Sequence, residues 1–321
     1  MCLWTLLSHT ILNVHKSLTP GITLTHAAHK NESTRSSDAY VDDTDNWAEA
    51  TKHTTEFIED GEGNEYLPLD DEVSTVIGRL QQSAQTWAML VAMTGGLMAF
   101  HKCSWQVLAW MTDKGRMIMR NRDTTLGDIH LSDHRGISSK INFKEHDKPN
   151  VGLGFSLVPT GTMAFEFANR LQQAKDCATS LGTATLTTTE AWLALVTRVL
   201  PKVTYPFMLT RFSKKQLHRL AIILDNVMLP KLGINRKMKR AVVYAPLELG
   251  GIGYPYIGTI QDQKGIGHFV KHLQWGQEIG TEMRALLSHA QVSSGLVTPL
   301  MEDTSLHLTY LEEGMISHLR D

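Results

Sequence analysis

Residues 36–50 read SSDAYVDDTDNWAEA, and two adjacent carboxylates, Asp42 and Asp43, follow an aromatic and a β-branched residue. Neighbouring carboxylates repel unless they are solvated or share a cation. Tyr40-Val41-Asp42-Asp43-Thr44 predicts a short strand running into a turn, which would hold both carboxylates at a hairpin tip. Paired oxygen ligands at a tight turn suit a hard ion such as Mg2+. The plainer reading is a solvated acidic turn, and these residues taken alone favour it.

The flanking sequence supplies context. Upstream, MCLWTLLSHTILNV has no basic leader and no small-residue cleavage site, and reads as an amphipathic core helix rather than a signal peptide. Residues 18–38 are rich in Thr and Ser and read as loop. Residues 51–72 are polar and acidic, with DGEGN as turn material, and read as an exposed insertion. From Val76 onward, Ile77, Leu80, Ala84, Trp87, Leu90 and Val91 recur at helical spacing, and Gly95-Gly96 ends the helix. Two apolar runs around Thr112-Asp113-Lys114-Gly115 predict a hairpin, and residues 149–161 a further short strand. Helices are then predicted from Met163 to Ala178, Ala191 to Leu200, Leu217 to Met228, Ile260 to Trp275 and Thr281 to Ser288. Trp87, Trp105, Trp110 and Trp192 are expected in cores.

A net charge of −2 conceals a strong asymmetry. Thirteen acidic residues lie between Asp38 and Glu72 against Lys52 alone, and ten basic residues lie between Lys202 and Arg240 against Asp225 alone. A near-neutral total therefore does not argue against a nucleic-acid partner. Three cysteines are too few and too scattered for a disulfide framework, which fits a reducing compartment. No apolar run approaches membrane-spanning length, so a soluble, intracellular protein without a membrane partner is expected.

Four blocks stand in a particular order: AYVDDT, then QSAQTWAMLVAMTGGLMAFHKCSWQVLAW, then VGLGFSLVPTG, then the long basic stretch from VLPKVTYPFMLTRF to LELGGIGYPY. In this order they resemble the C-terminal half of a retroelement reverse transcriptase of non-LTR-like type, over about residues 1–275. The resemblance implies an RNA-directed DNA polymerase using Mg2+ or Mn2+. Its two ions, about 4 Å apart, would be held by Asp42 as principal ligand and Asp43 in support. It also implies that Tyr40 and Val41 line the primer end and that Lys102, after Gly95-Gly96, stabilises charge at the triphosphate. Leu153-Gly154 would match the family's Leu-Gly strand. Arg211, Lys214, Lys215, Lys237, Lys239 and Arg240 would follow the backbone of an RNA template and DNA primer, with Tyr205 and Phe207 nearby for packing or stacking.

One departure matters. The family carries a third aspartate on an earlier strand, whereas upstream of Asp42 this sequence has only Glu32 and Asp38, in what reads as polar loop. The chain is therefore expected to be a truncated polymerase, inactive alone, and the alternative is a non-catalytic nucleic-acid-binding remnant using residues 202–240. The expected fold is α+β: a partial palm with a small antiparallel sheet over 1–160, a helical thumb over 161–275 and a tail over 276–321. Such a partial palm would leave an exposed apolar edge.

A metalloprotein reading starts from His130 and His134, His268 and His272, and His101 near Cys103. No cysteine pair and no His-Glu-x-x-His accompanies them, which argues against zinc. The segment GGIGYPYIG lacks the Gly-Lys-Ser/Thr ending of a phosphate-binding loop and reads as a loop of the helical part.

Overall fold

The structure is a computed structural model that describes residues 2–19, 21–27, 32–40, 43–49, 58–59, 65–66, 69–125, 127–152, 154–275, 278–302, 308 and 315–320. The fold class is α+β, with short two-stranded ladders in the first half and helices in the second. Two units divide near Lys148–Pro149. The sequence-derived boundary lies near residue 160.

The first unit opens with α1 (Cys2–Leu18). Residues 18–38 are not the expected loop. Strand β1 (Ile22–Thr25) pairs antiparallel with β2 (Glu32–Arg35), and β3 (Ser37–Tyr40) pairs with β4 (Asp43–Asn46) in a hairpin. A two-residue pair, β5 (Ile58–Glu59) with β6 (Glu65–Tyr66), precedes α2 (Leu69–Met93). The remainder of the expected insertion at 51–72 lies mostly outside the described residues. Helix α2 ends at Gly95, whose φ of +82° suits a residue without a Cβ, and the amides of Gly95 and Gly96 donate to the carbonyls of Ala92 and Val91.

After a 3-10 turn (Phe100–Lys102) come β7 (Ser104–Trp105), β8 (Trp110–Asp113) and β9 (Arg116–Met119). The predicted hairpin is β8–β9, and its turn residues Lys114 and Gly115 have φ of +48° and +74°. Both are left-handed, as the turn type that matches strand twist demands. β10 (His130–Ser132) pairs with β11 (Ser138–Lys140), and β12 (Asn142–Phe143) pairs with β7 in parallel. One core joins Val73 and Ile77 of α2 to Trp105, Val107, Ile129, Leu131 and Ile141. Two glutamines one helical turn apart on α2 complete the ladder of β10. Gln81 and Gln85 accept from the amides of His130 (2.7 Å) and Ser132 (2.8 Å), and each donates to the carbonyl of the same residue. The strand edge is thereby closed by side chains. Trp87 and Trp105 are buried as expected, whereas Trp110 and Trp192 are about half exposed.

In the second unit, residues 149–161 form a hairpin rather than a single strand: β13 (Asn150–Gly152) with β14 (Phe155–Leu157). Helix α3 (Ala164–Thr183) follows, then α4 (Thr188–Ala194), whose start is fixed by a capping box between Thr187 and Glu190. The helix predicted through Leu200 widens to a π segment at Leu195–Val199 before α5 (Leu200–Thr204). Pro201 has no N–H to give to the preceding turn, and the hydrogen-bond ladder adjusts upstream of it. Helix α6 (Lys214–Lys231) starts at a second capping box, Ser213 with Gln216, and α7 (Arg240–Tyr244), α8 (Ile257–Gln274), α9 (Glu278–Ser294) and α10 (Met315–Arg320) complete the chain. Helices α3 and α6 enclose the larger core, in which Phe167, Leu195, Phe207, Leu220, Leu224 and Met228 are buried. Among the described residues, no helix is long and apolar enough to cross a membrane.

Candidate functional site

The β3–β4 hairpin pairs Tyr40 with Asp43 and Asp38 with Asp45. Val41 and Asp42, which join the strands, lie outside the described residues, and Tyr40 and Asp43 are described by backbone alone. Like charges facing each other across a ladder are unfavourable unless compensated. Asp38 is compensated: its Oδ1 accepts from Arg35 Nε at 2.6 Å and its Oδ2 from Trp47 Nε1 at 3.3 Å. Asp38 therefore sits on a strand, not in the loop expected for it, and its carboxylate is already engaged. Glu32 likewise begins β2, where it is exposed and paired with Thr25.

The hairpin is seated by His15 of α1, which is fully buried. Its Nε2 donates to the Ser83 carbonyl of α2 (3.0 Å), which leaves Nδ1 to accept from the Ser37 hydroxyl at 3.1 Å. Trp87 packs edge-on against the imidazole, 5.4 Å between ring centres. Burial holds the His15 pKa below the ordinary imidazole value, with the Ser83 hydrogen bond opposing. Lys102 ends the 3-10 turn before β7 and is exposed. Among the described residues no group of three or more His, Cys, Asp or Glu side chains is arranged to hold a metal ion.

In the second unit the basic segment separates into two kinds of cation. Lys214 and Lys215 occupy the exposed first turn of α6, and Arg236, Lys237 and Lys239 are exposed in the turn between α6 and α7. No ion pair among the described residues engages these five side chains. Arg211 and Arg240 are instead turned to the protein. Arg211 is half buried, and its Nη1 donates to the carbonyls of Phe207 and Thr210. Its guanidinium lies over Gly265 of α8, where a Cβ would collide with it, and burial lowers its pKa while Asp262 opposes. Lys231 donates to the Ala184 carbonyl at 2.7 Å. Phe207 is fully buried and cannot stack on a ligand, whereas Tyr205 remains about half exposed beside Phe155.

The lone acid of the segment is not on the exposed surface. Asp225 is only 2% exposed. Its Oδ2 accepts from the Tyr244 hydroxyl (2.5 Å) and pairs with Arg240 Nε (3.1 Å), and the Tyr254 ring packs against that of Tyr244, 6.2 Å between ring centres. Burial raises the pKa of Asp225 and of both tyrosines. Sequence reasoning missed this cluster, although a signal was present. Asp225 falls four residues after Ala221 and eight after Leu217, within the apolar stripe of α6.

No family model matches the chain, and no curated protein matches it.

Proposed function

We propose that this chain is a palm-and-thumb portion of a retroelement reverse transcriptase, an RNA-directed DNA polymerase whose helical unit holds nucleic acid by its phosphates. The observation that carries the reading is the segment 202–240, which presents exposed cations without ion-pair partners among the described residues while its one acid is buried and paired with Arg240. Exposed cations attract a polyanion and release its counterions on binding. The antiparallel pairing of Tyr40 with Asp43 adds support, since an aromatic-x-Asp-Asp sequence spanning a hairpin suits paired carboxylates.

The donor chemistry of that hairpin fits a hard divalent ion: Asp42 and Asp43 would be the ligands, and Mg2+ or Mn2+ would neutralise charge on the incoming triphosphate when bound. Tyr40 and Val41 would flank the primer end. Lys102 would stabilise charge on the triphosphate or pass a proton to the leaving pyrophosphate. The engagement of Asp38 by Arg35 and Trp47 removes the nearest candidate for a third ligand. This favours the second reading for the chain by itself, a nucleic-acid-binding module without polymerase activity.

Primer extension on an RNA template, with Mg2+ or Mn2+, tests both readings. Three samples are compared: this chain, the chain joined to an upstream segment bearing a strand-borne aspartate, and that longer chain carrying Asp42→Asn. We expect extension from the second sample alone. Extension that survives Asp42→Asn would remove the polymerase assignment, and robust extension by the first would remove the requirement for a third carboxylate.

A further inference from the structure

The geometry points to Asp225 as a positioning residue for the nucleic-acid face: through Arg240 it fixes the turn 235–239 and so presents Arg236, Lys237 and Lys239 together. The inference rests on the nucleic-acid reading above and deepens it. Arg240 is held from two sides. Its Nε pairs with the buried Asp225 carboxylate of α6, and its Nη1 donates to the carbonyls of Arg236 (3.2 Å) and Met238 (3.3 Å). Within the turn, Asn235 Oδ1 accepts from the Lys237 amide at 2.8 Å, and the Asn235 carbonyl accepts from the Met238 amide at 3.0 Å. The planar guanidinium fork suits this two-sided role, which a lysine ammonium on a flexible stem does not reproduce.

Three cations within four residues repel one another, and an unanchored turn would spread them and lose ordering entropy on binding. The Asp225–Arg240 link meets that cost in advance, in the folded protein. Tyr244 also donates to the carboxylate, so the anchor is set in the core of the helical unit rather than on its surface.

Charge counting and positioning predict opposite signs. If Asp225 acted only as a negative charge near phosphates, Asp225→Asn would tighten binding. As the anchor of the turn, its loss weakens binding although every basic residue is retained. The test titrates salt against the full chain with a labelled oligothymidylate, read by fluorescence anisotropy. We expect Asp225→Asn to weaken binding about five- to tenfold and to lower the slope of log affinity against log salt by about two. Arg240→Lys keeps the charge and removes the fork, and Asn235→Ala loosens the turn without touching the buried cluster. Both should shift affinity and slope in the same direction, so the test stands even if Asp225→Asn fails to fold. Unchanged or tighter binding by the folded variants, with the unaltered chain's salt slope, would overturn the positioning role and leave the nucleic-acid reading intact. Absence of salt-dependent binding by the unaltered chain would overturn both.

Discussion

Glu166 and Arg170 stand one turn apart on α3 and form an ion pair with almost no access to water, their side chains 0% and 3% exposed. The pair also fastens the β13–β14 hairpin to the helix. Glu166 Oε2 accepts from the Ser156 amide (2.6 Å), Arg170 Nη2 donates to the Gly154 carbonyl (2.6 Å), and Nη1 donates to the Lys202 carbonyl (2.8 Å). Removing one member leaves the other charge buried and unpaired. Arg170→Met should therefore destabilise the helical unit by about 3–5 kcal/mol, while the double replacement Glu166→Leu/Arg170→Met should cost less than the single change. Urea denaturation of the three chains measures this. A double variant less stable than Arg170→Met would contradict it.

Charge reversal at Lys214, Lys215, Lys237 and Lys239 addresses the exposed face directly. These side chains are exposed and lack ion-pair partners among the described residues, so each reversal should change stability by no more than about 0.5 kcal/mol. Binding to nucleic acid should weaken by at least about tenfold, and the salt slope should fall by about three to four. A filter-binding titration with an unchanged slope would remove these lysines from the interface.

His15 makes the first unit sensitive to acid. The folded protein holds this imidazole below its ordinary pKa of 6.5, because burial disfavours the charged form. The unfolded chain takes up the proton first as pH falls. The contribution to stability is therefore whole above about pH 6.5 and is lost as pH falls from there toward the folded pKa. His15→Gln keeps a polar group and cannot titrate. The stability difference between the unaltered chain and His15→Gln should shrink between pH 7.5 and pH 5, followed by chemical denaturation. Parallel profiles would show that His15 does not carry this dependence.

The parts legible in the sequence are those where burial imposes a period. Ile77, Leu80, Ala84 and Trp87 marked α2, and Leu217, Leu220, Leu224 and Met228 marked α6, because each helix buries one stripe against a core. The β1–β2 ribbon is hard to read because the apolar alternation of Ile22–Thr25 lasts only four residues, its partner Glu32–Arg35 has no apolar residue, and neither strand is fully buried. Its order comes from backbone pairing, to which composition is blind. Pro201 lies in a helical pattern, and its effect on the preceding turn appears only in three dimensions. In the candidate site, the exposed lysines were legible as a charge run. The separation of Arg211 and Arg240 from them was not, since both depend on which carbonyls and carboxylates the fold brings within reach.

Every strand among the described residues belongs to a ladder of two, so none has backbone neighbours on both sides. A sheet interior is where amides ordinarily resist exchange with solvent deuterium for longest, and the described ladders have no such interior. The slowest-exchanging amides should instead lie in α3 and α6, around Ala174, Leu220 and Met228, whose side chains are fully buried. At β10, Gln81 and Gln85 stand in for a missing strand. The amides of His130 and Ser132 should therefore exchange only as slowly as two glutamine side chains keep their grip. Protection of that ladder then depends on side-chain packing along α2 rather than on the cooperativity of a sheet.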